Sequence, residues 1–225
     1  MKQILCFGDS NTYGLIPKTT KRYDWGERWT SILQERVGKY GYRIVEEGLC
    51  GRTTVFEDRT RAGRRGDKIL PVLLESHGPL DTIVLMLGTN DCKTYYNASP
   101  EQIGEGLQVL LRQIAEFAPE SKVLIISPIF LGEQVWKTEF DPEFSKHSVT
   151  VSQKLGDVYE KIAEQWGHSF LRAADYAVCS EVDQEHLNQE GHRKLADAVF
   201  EVRAAEEIVG GDGTVWYQKD EWVDT

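Results

Sequence analysis

Short apolar runs alternate along the chain with longer segments in which apolar residues recur every three or four positions. The short runs have the length and composition of buried strands, and the longer segments have the period of amphipathic helices. The predicted strands are 4–7, 42–47, 81–87, 122–127 and 168–171. The predicted helices are 26–40, a short one ending near 76, 100–117, 145–166 and 188–208. In the short helix we expect Pro71 to occupy the first turn.

This regular alternation of strand and helix predicts an α/β domain, with one five-stranded parallel sheet covered by helices on both faces. We assign residues 1–208 to this domain. Residues 209–225 form a polar C-terminal extension that carries Trp216, Tyr217 and Trp222. Because a disordered tail seldom contains so many aromatic residues, we expect the extension to dock on its own domain or on a neighbouring subunit.

Composition and charge exclude some classes of function. The chain has 225 residues, a formal net charge of −10 and a pI of about 5.1. An acidic protein offers no basic field to hold a polyanion, so we expect no nucleic-acid partner and no binding to anionic membranes. No apolar run approaches the roughly 20 residues of a membrane span. The first run is also too short for a signal peptide, so we predict a cytoplasmic protein.

Cysteine spacing gives no indication of a metal site. Cys6, Cys50, Cys92 and Cys179 are scattered without a Cys-x-x-Cys pair. In a reducing compartment they are expected to be free thiols. We therefore predict no metal and no cofactor.

The first strand leads directly into Gly8-Asp9-Ser10, which is typical of a turn followed by a helix start. This turn lies at the carboxyl edge of the sheet, where α/β proteins place their ligands. Ser10 could cap the following helix, belong to an anion-binding loop, or be a nucleophile activated by a distant histidine. This stretch alone leaves the three roles open.

Two further strands end in similar turns. Gly48-Leu49-Cys50-Gly51 follows the second strand, and Gly88-Thr89-Asn90-Asp91 follows the third. Asp183-Gln184-Glu185-His186 precedes the last helix. Together these segments supply a hydroxyl, glycine amides, a carboxamide and a carboxylate–imidazole pair, which is the set that acyl transfer from an ester requires.

Each group has a matching chemical task. A serine hydroxyl needs a base, and His186 is the candidate because imidazole titrates near neutral pH. Asp183 can hold the imidazole in the required tautomer. The amides of Ser10 and Gly51 and the side chain of Asn90 can stabilise the oxyanion.

Taken together, these four segments resemble the motifs of the SGNH (GDSL-type) hydrolases, over about residues 2–205. The Ser, Gly, Asn and His of that name would be Ser10, Gly51, Asn90 and His186, with Asp183 completing a triad. The segments at 46–49, 52–54 and 86–91 are most similar to the bacterial arylesterase/acyltransferase branch. The resemblance implies a flavodoxin-like three-layer fold, hydrolysis of short-chain acyl esters through an acyl-enzyme, acyl transfer to alcohols as a second activity, and homo-oligomers built by long loops.

The chain departs from the family pattern at Asn11, where the family name has leucine, and we expect no chemical effect there. Two other functions stay open: an esterase of the same family that acts on acetylated carbohydrates, and a non-catalytic flavodoxin-like module that binds a nucleotide or phosphate. The second lacks the P-loop lysine and gives no role to Asp183 and His186. We interpret Cys50 as a small residue filling space, and the arginines between 59 and 65 as a solvated loop.

Overall fold

The computed structural model describes residues 1–208, and the predicted extension at 209–225 lies outside the described residues. The five strands are β1 (Lys2–Gly8), β2 (Tyr42–Gly48), β3 (Thr82–Met86), β4 (Lys122–Ser127) and β5 (Ser169–Arg172). The helices are α1 (Ser10–Tyr13), α2 (Trp29–Val37), α3 (Gly66–His77), α4 (Pro100–Phe117), α5 (Lys146–Trp166) and α6 (Gln189–Ile208). All five predicted strands and all five predicted helices are therefore present, with ends shifted by a few residues.

All strand pairs in the sheet are parallel, and the strand order is β2-β1-β3-β4-β5. The chain moves from β1 to β2 on one side and then crosses to β3 on the other side. Gly8, at the end of β1, is in register with both Gly48 and Met86. The order thus reverses at the end of β1, and ligands of open α/β sheets bind at such a point.

Each face of the sheet has its own hydrophobic core. Along β1, Leu5 and Phe7 belong to one cluster, and Ile4 and Cys6 belong to the other, as expected for side chains that alternate across a strand. The first cluster is completed by α3, α4 and α5, and the second by α2 and α6. Each fully buried large aliphatic side chain contributes about 1.5–3 kcal/mol to folding. The predicted three-layer α/β fold is confirmed.

The prediction for Pro71 is wrong. Helix α3 begins at Gly66, so Pro71 lies inside the helix. Proline has no N–H, so it leaves the carbonyl of Asp67 without its helical donor. Gln113 of α4 donates its Nε2 to that carbonyl at 2.8 Å. A side chain distant in sequence therefore satisfies the group that the proline leaves unpaired.

The starts of α4 and α5 follow the capping rules. Ser99 accepts a hydrogen bond from the backbone N of Gln102, and the Gln102 side chain accepts one from the backbone N of Ser99. Ser145 and Ser148 form the same reciprocal arrangement at the start of α5. These boxes satisfy amides that the first helical turn leaves unpaired. Within residues 1–208, no helix combines the length and apolar character needed to cross a lipid bilayer.

Candidate active site

Ser10 lies at the start of α1, directly after β1. Asp9 caps this short helix by accepting a hydrogen bond from the backbone N of Asn11 at 2.9 Å. The end of β2 packs closely against the same helix, because a Cβ atom on Gly48 would lie 2.1 Å from the backbone N of Tyr13. Glycine at position 48 therefore allows the close approach of α1 and β2. The Ser10 side chain, only 2% exposed, is held in this junction.

The structure brings Ser10, His186 and Asp183 into one hydrogen-bonded chain. Ser10 Oγ lies 2.8 Å from His186 Nε2, and His186 Nδ1 lies 2.8 Å from Asp183 Oδ2. The residues are buried, with exposed fractions of 2%, 7% and 6%, respectively. This order of hydroxyl, imidazole and carboxylate is the arrangement in which an imidazole can take a proton from serine.

Asp183 is fixed by the turn in which it lies. Its Oδ1 accepts hydrogen bonds from the backbone N of Glu185 at 3.1 Å and of His186 at 3.0 Å. Gln184, between Asp183 and Glu185, has a φ of 65°, which is uncommon for a residue other than glycine. The turn leaves Oδ2 to pair with the imidazole and so orients the ring.

The loop that carries His186 is also attached to the helix that carries Ser10. The side-chain Oδ1 of Asn11 accepts a hydrogen bond from the backbone N of Leu187 at 2.8 Å. The expectation that Asn11 has no chemical effect was made without knowledge of this contact. Position 11 therefore links the two halves of the serine–histidine pair, and local sequence could not predict this link because Leu187 is distant along the chain.

The charges around His186 favour its protonated form. Burial by itself lowers the pKa of His186, but the nearby carboxylate of Glu185 and the hydrogen bond with Asp183 raise it to about 9. Burial also raises the pKa of Glu185, to about 7. For Asp183, burial opposes ionisation, but the hydrogen bond with His186, the charge of that ring and the two backbone hydrogen bonds together lower the pKa.

Gly51 and Asn90 lie in the turns after β2 and β3. Gly51 has a φ of 82°, a left-handed conformation that glycine adopts without strain. Among the described residues, the backbone amides of Ser10 and Gly51 have no acceptor assigned to them. Asn90 donates its Nδ2 to the carbonyl of Arg52 at 3.1 Å, which orients the side chain. The second hydrogen of that amide is left for another acceptor.

Two residues to which sequence reasoning gave no role connect these turns. The buried guanidinium of Arg52 donates from one Nη to the carbonyl of Gly8 at 2.9 Å and also to the carbonyl of Glu47. Asp91 Oδ1 accepts from the backbone N of Thr54 at 2.9 Å and from its hydroxyl at 2.5 Å. Arg52 therefore ties the second turn to the first, and Asp91 ties the third to the second.

Three other histidines of the chain have different surroundings. His192 is fully buried in α6, where its Nδ1 accepts from the backbone N of Trp29 at 3.3 Å. His77 pairs with Glu47 at 3.0 Å, and His168 stacks on the ring of Trp166. None of these three is hydrogen-bonded to Ser10 within the part of the chain that the structure describes.

The surroundings of Cys50 and of the arginine-rich loop at 59–65 are those of structural residues. Burial raises the pKa of the Cys50 thiol, which makes the reactive thiolate scarcer at neutral pH. Arg61 pairs with Asp58 at 2.8 Å, and Arg65 pairs with Asp67 at 2.6 Å. Across residues 1–208, no three or more His, Cys, Asp or Glu side chains are grouped so that they could hold a metal ion.

Solved structures of ester-cleaving proteins superpose closely on this chain. A carbohydrate acetylesterase from Sinorhizobium meliloti is 34% identical, with a TM-score of 0.84 over 92% of this chain and 100% of its own. The aryl esterase of M. smegmatis is 32% identical, with a TM-score of 0.84 over 91% and 99%. Another crystal structure is 40% identical, with a TM-score of 0.86 over 93% and 99%.

No curated protein matches the chain. The model of the GDSL-like lipase/acylhydrolase family matches residues 6–194, a range that includes the four motif segments. This match overturns the alternative of a non-catalytic nucleotide-binding module. With the motifs in order along a fold shared with known esterases, the chain belongs to the GDSL-like lipase/acylhydrolase family and is a carboxylic ester hydrolase.

Proposed function

We propose that the protein is a serine esterase that cleaves short-chain acyl esters through an acyl-enzyme, with Ser10 as the nucleophile. His186 accepts the proton of the Ser10 hydroxyl as the hydroxyl attacks the ester carbonyl. It then donates this proton to the departing alcohol. Asp183 orients the imidazole and offsets the positive charge that forms on it. Water then attacks the acyl-enzyme by the same route and regenerates Ser10.

The observation that carries this proposal is the chain of two 2.8 Å contacts from Ser10 Oγ through His186 to Asp183. A buried serine with no catalytic task has no need of an imidazole that is itself held by a carboxylate. The groups that raise the pKa of His186 would also stabilise the imidazolium formed during attack, while the neutral ring, which becomes more abundant as pH rises, is the form that accepts the proton.

The tetrahedral intermediate also needs fixed donors for its oxyanion. We assign this task to the backbone amides of Ser10 and Gly51 and to Nδ2 of Asn90. The support for this assignment is that the two amides have no acceptor assigned among the described residues, and that Arg52 orients the Asn90 amide. Donors fixed before the reaction need no reorganisation when charge develops, which makes them effective.

An alcohol can replace water as the acceptor of the acyl group, so the same site could transfer acyl groups between alcohols. Among solved structures, the similarity to both an aryl esterase and a carbohydrate acetylesterase leaves two classes of alcohol as candidates.

Cytoplasmic location and homo-oligomerisation stay predictions. Light scattering tests the latter, and a monomer at micromolar concentration would contradict it.

Labelling with an organophosphorus or sulfonyl fluoride reagent tests the proposal. We expect one adduct, on Ser10, together with hydrolysis of aryl acetates that is lost in Ser10→Ala. Ser127 provides a matched control, since it is also buried and also lies at the carboxyl end of a strand. Ser127→Ala should be labelled like the wild type. A folded protein that carries no adduct on Ser10 would refute the mechanism.

A further inference from the structure

A second buried acid, Glu185, lies beside the proposed base, and the mechanism above does not use it. Its side chain is buried on the same loop as Asp183 and His186, with an exposed fraction of 7% for the residue. Its Oε1 lies 3.7 Å from His186 Nε2, the ring nitrogen that faces Ser10 Oγ. The carboxyl of Glu185 is therefore on the reacting side of the imidazole, whereas Asp183 is on the opposite side.

The two acids differ in how their oxygens are bonded. Oδ1 of Asp183 accepts two backbone hydrogen bonds, and its Oδ2 is paired with the imidazole of His186. For Glu185, the 3.7 Å separation from Nε2 is longer than a hydrogen bond, and no hydrogen bond to its carboxyl is found among the described residues. Lys93 is charged and nearby, but its ammonium pairs with Glu143 at 2.5 Å. Among the described residues no group donates to this carboxyl, yet its oxygens are not among the fully enclosed atoms that lack a partner. A donor from the substrate can therefore reach them.

The position of the leaving oxygen follows from the mechanism. For His186 to protonate that oxygen, Nε2 must be within hydrogen-bond distance of it. Because Glu185 Oε1 lies close to the same nitrogen, it is also close to a substituent on the second carbon from the leaving oxygen. A hydroxyl on that second carbon would donate a hydrogen bond to Glu185, whereas an apolar group there would displace water without offering a donor.

We infer that Glu185 selects the alcohol part of the ester, by accepting a hydrogen bond from a hydroxyl on the carbon adjacent to the one that bears the ester oxygen. The preferred substrates would then be short acyl esters of vicinal diols, which is the chemical pattern of partly acetylated sugars and other polyols. This inference rests on the proposed function and deepens it. Burial raises the pKa of Glu185 to about 7, and both the acid and its carboxylate can accept a hydroxyl hydrogen bond.

The test compares two acetates that differ by one group. Hydroxyethyl acetate has a hydroxyl where propyl acetate has a methyl, and the ratio of kcat/KM for the two is measured on each preparation of the full chain. The ratio is independent of the amount of folded protein. We expect the wild type to prefer hydroxyethyl acetate, and this preference to fall about 10- to 100-fold in Glu185→Leu, because a hydrogen bond to a charged group is lost.

Two further variants complete the design. Glu185→Gln keeps the shape and one acceptor, so part of the preference should be retained. Glu181 is exposed on the same loop, and Glu181→Leu should leave the ratio unchanged. A wild type without preference, or a preference that Glu185→Leu retains, would overturn the inference while leaving the esterase intact. Failure to cleave any ester, with no label on Ser10, would refute the proposed function as well.

Discussion

The surroundings of His186 and His192 drive the pKa values of these two buried residues in opposite directions. His186, in the loop before α6, has Glu185 and Asp183 beside it, and its pKa is raised to about 9. His192, inside α6, packs its ring nearly perpendicular to that of Tyr23, and its pKa is lowered to about 3, mainly by burial. The charges of His186 and Arg28 lower it further. Burial acts in the same direction on both rings, so the neighbouring carboxylates make the difference.

The same difference in surroundings separates a histidine proposed to act in catalysis from one with a structural role. A histidine that acts as the proposed base needs groups that stabilise the imidazolium it forms, and Asp183 and Glu185 in the loop at 183–187 have this effect on His186. A histidine that only accepts a hydrogen bond from the backbone N of Trp29 is best kept neutral, and the apolar surroundings of α6 achieve this. The following variants test this contrast, beginning with the one that should have the largest effect.

The most direct test makes the same substitution at both positions. His186→Gln should lower kcat for an aryl acetate by about 10⁴-fold or more, because the proposed base is removed. His192→Gln should leave kcat close to that of the wild type, since the glutamine oxygen can still accept from Trp29. Steady-state kinetics with circular dichroism as a check on folding would measure both. Equal losses of kcat in the two variants would contradict the proposed difference in role between the two histidines.

The two regions also contain a matched pair of asparagines. Asn11 accepts from the backbone N of Leu187, and Asn188 accepts from the backbone N of Gly191 at the start of α6. Asn11→Ala should lower kcat about tenfold, because the loop carrying His186 loses an attachment to Ser10. Asn188→Ala should instead lower the free energy of unfolding by about 1 kcal/mol as a helix cap is lost. If neither variant alters kcat, Asn11 has no positioning role.

The pH dependence of catalysis tests the effect of Glu185 on His186. In the proposed mechanism the neutral imidazole is the base, so kcat/KM should rise with pH through the pKa of His186. The negative charges facing this ring are those of Glu185, Asp183 and Asp9. Glu185→Gln removes one of them, so the rising limb of the profile should move to lower pH by about one unit. An unmoved limb would show that Glu185 does not set the pKa of His186.

The pH dependence of stability tests His192. Its pKa in the folded chain lies below the ordinary value of 6.5, so the unfolded chain takes up the proton first as pH falls. This contribution to stability is complete above pH 6.5 and is lost as pH falls towards 3. From about pH 6 to about pH 4, His192→Gln should therefore lose about 1 kcal/mol per pH unit less than the wild type. Urea unfolding at several pH values would measure this.

The contribution of His186 to stability should depend on pH in the opposite direction to that of His192. Its folded pKa is raised, so its contribution is complete below the unfolded value of 6.5 and is lost as pH rises through 9. In His186→Gln the decline on the alkaline side should be smaller than in the wild type. Parallel stability curves for both variants and the wild type would contradict the pKa values of both residues.

Much of the fold and the candidate site could be predicted from the sequence by itself. The five strands and the turns at Gly8, Gly48 and Gly88 are encoded by local periodicity and by glycine, which act over a few residues. The order of the motifs was enough to select Ser10, His186 and Asp183 from among the serines, histidines and acids of the chain. The alternation of strands and helices predicted a parallel sheet, because parallel strands require crossover helices.

Tertiary structure decided the features that depend on groups far apart in the chain. The contact of Asn11 with Leu187, the links made by Arg52 and the pairing of Gln113 with the carbonyl that Pro71 leaves free are of this kind. So are the opposite pKa shifts of His186 and His192. A hydrophobic pattern specifies which face of an element is buried, but hydrogen bonds and pKa values depend on which groups meet when the elements pack.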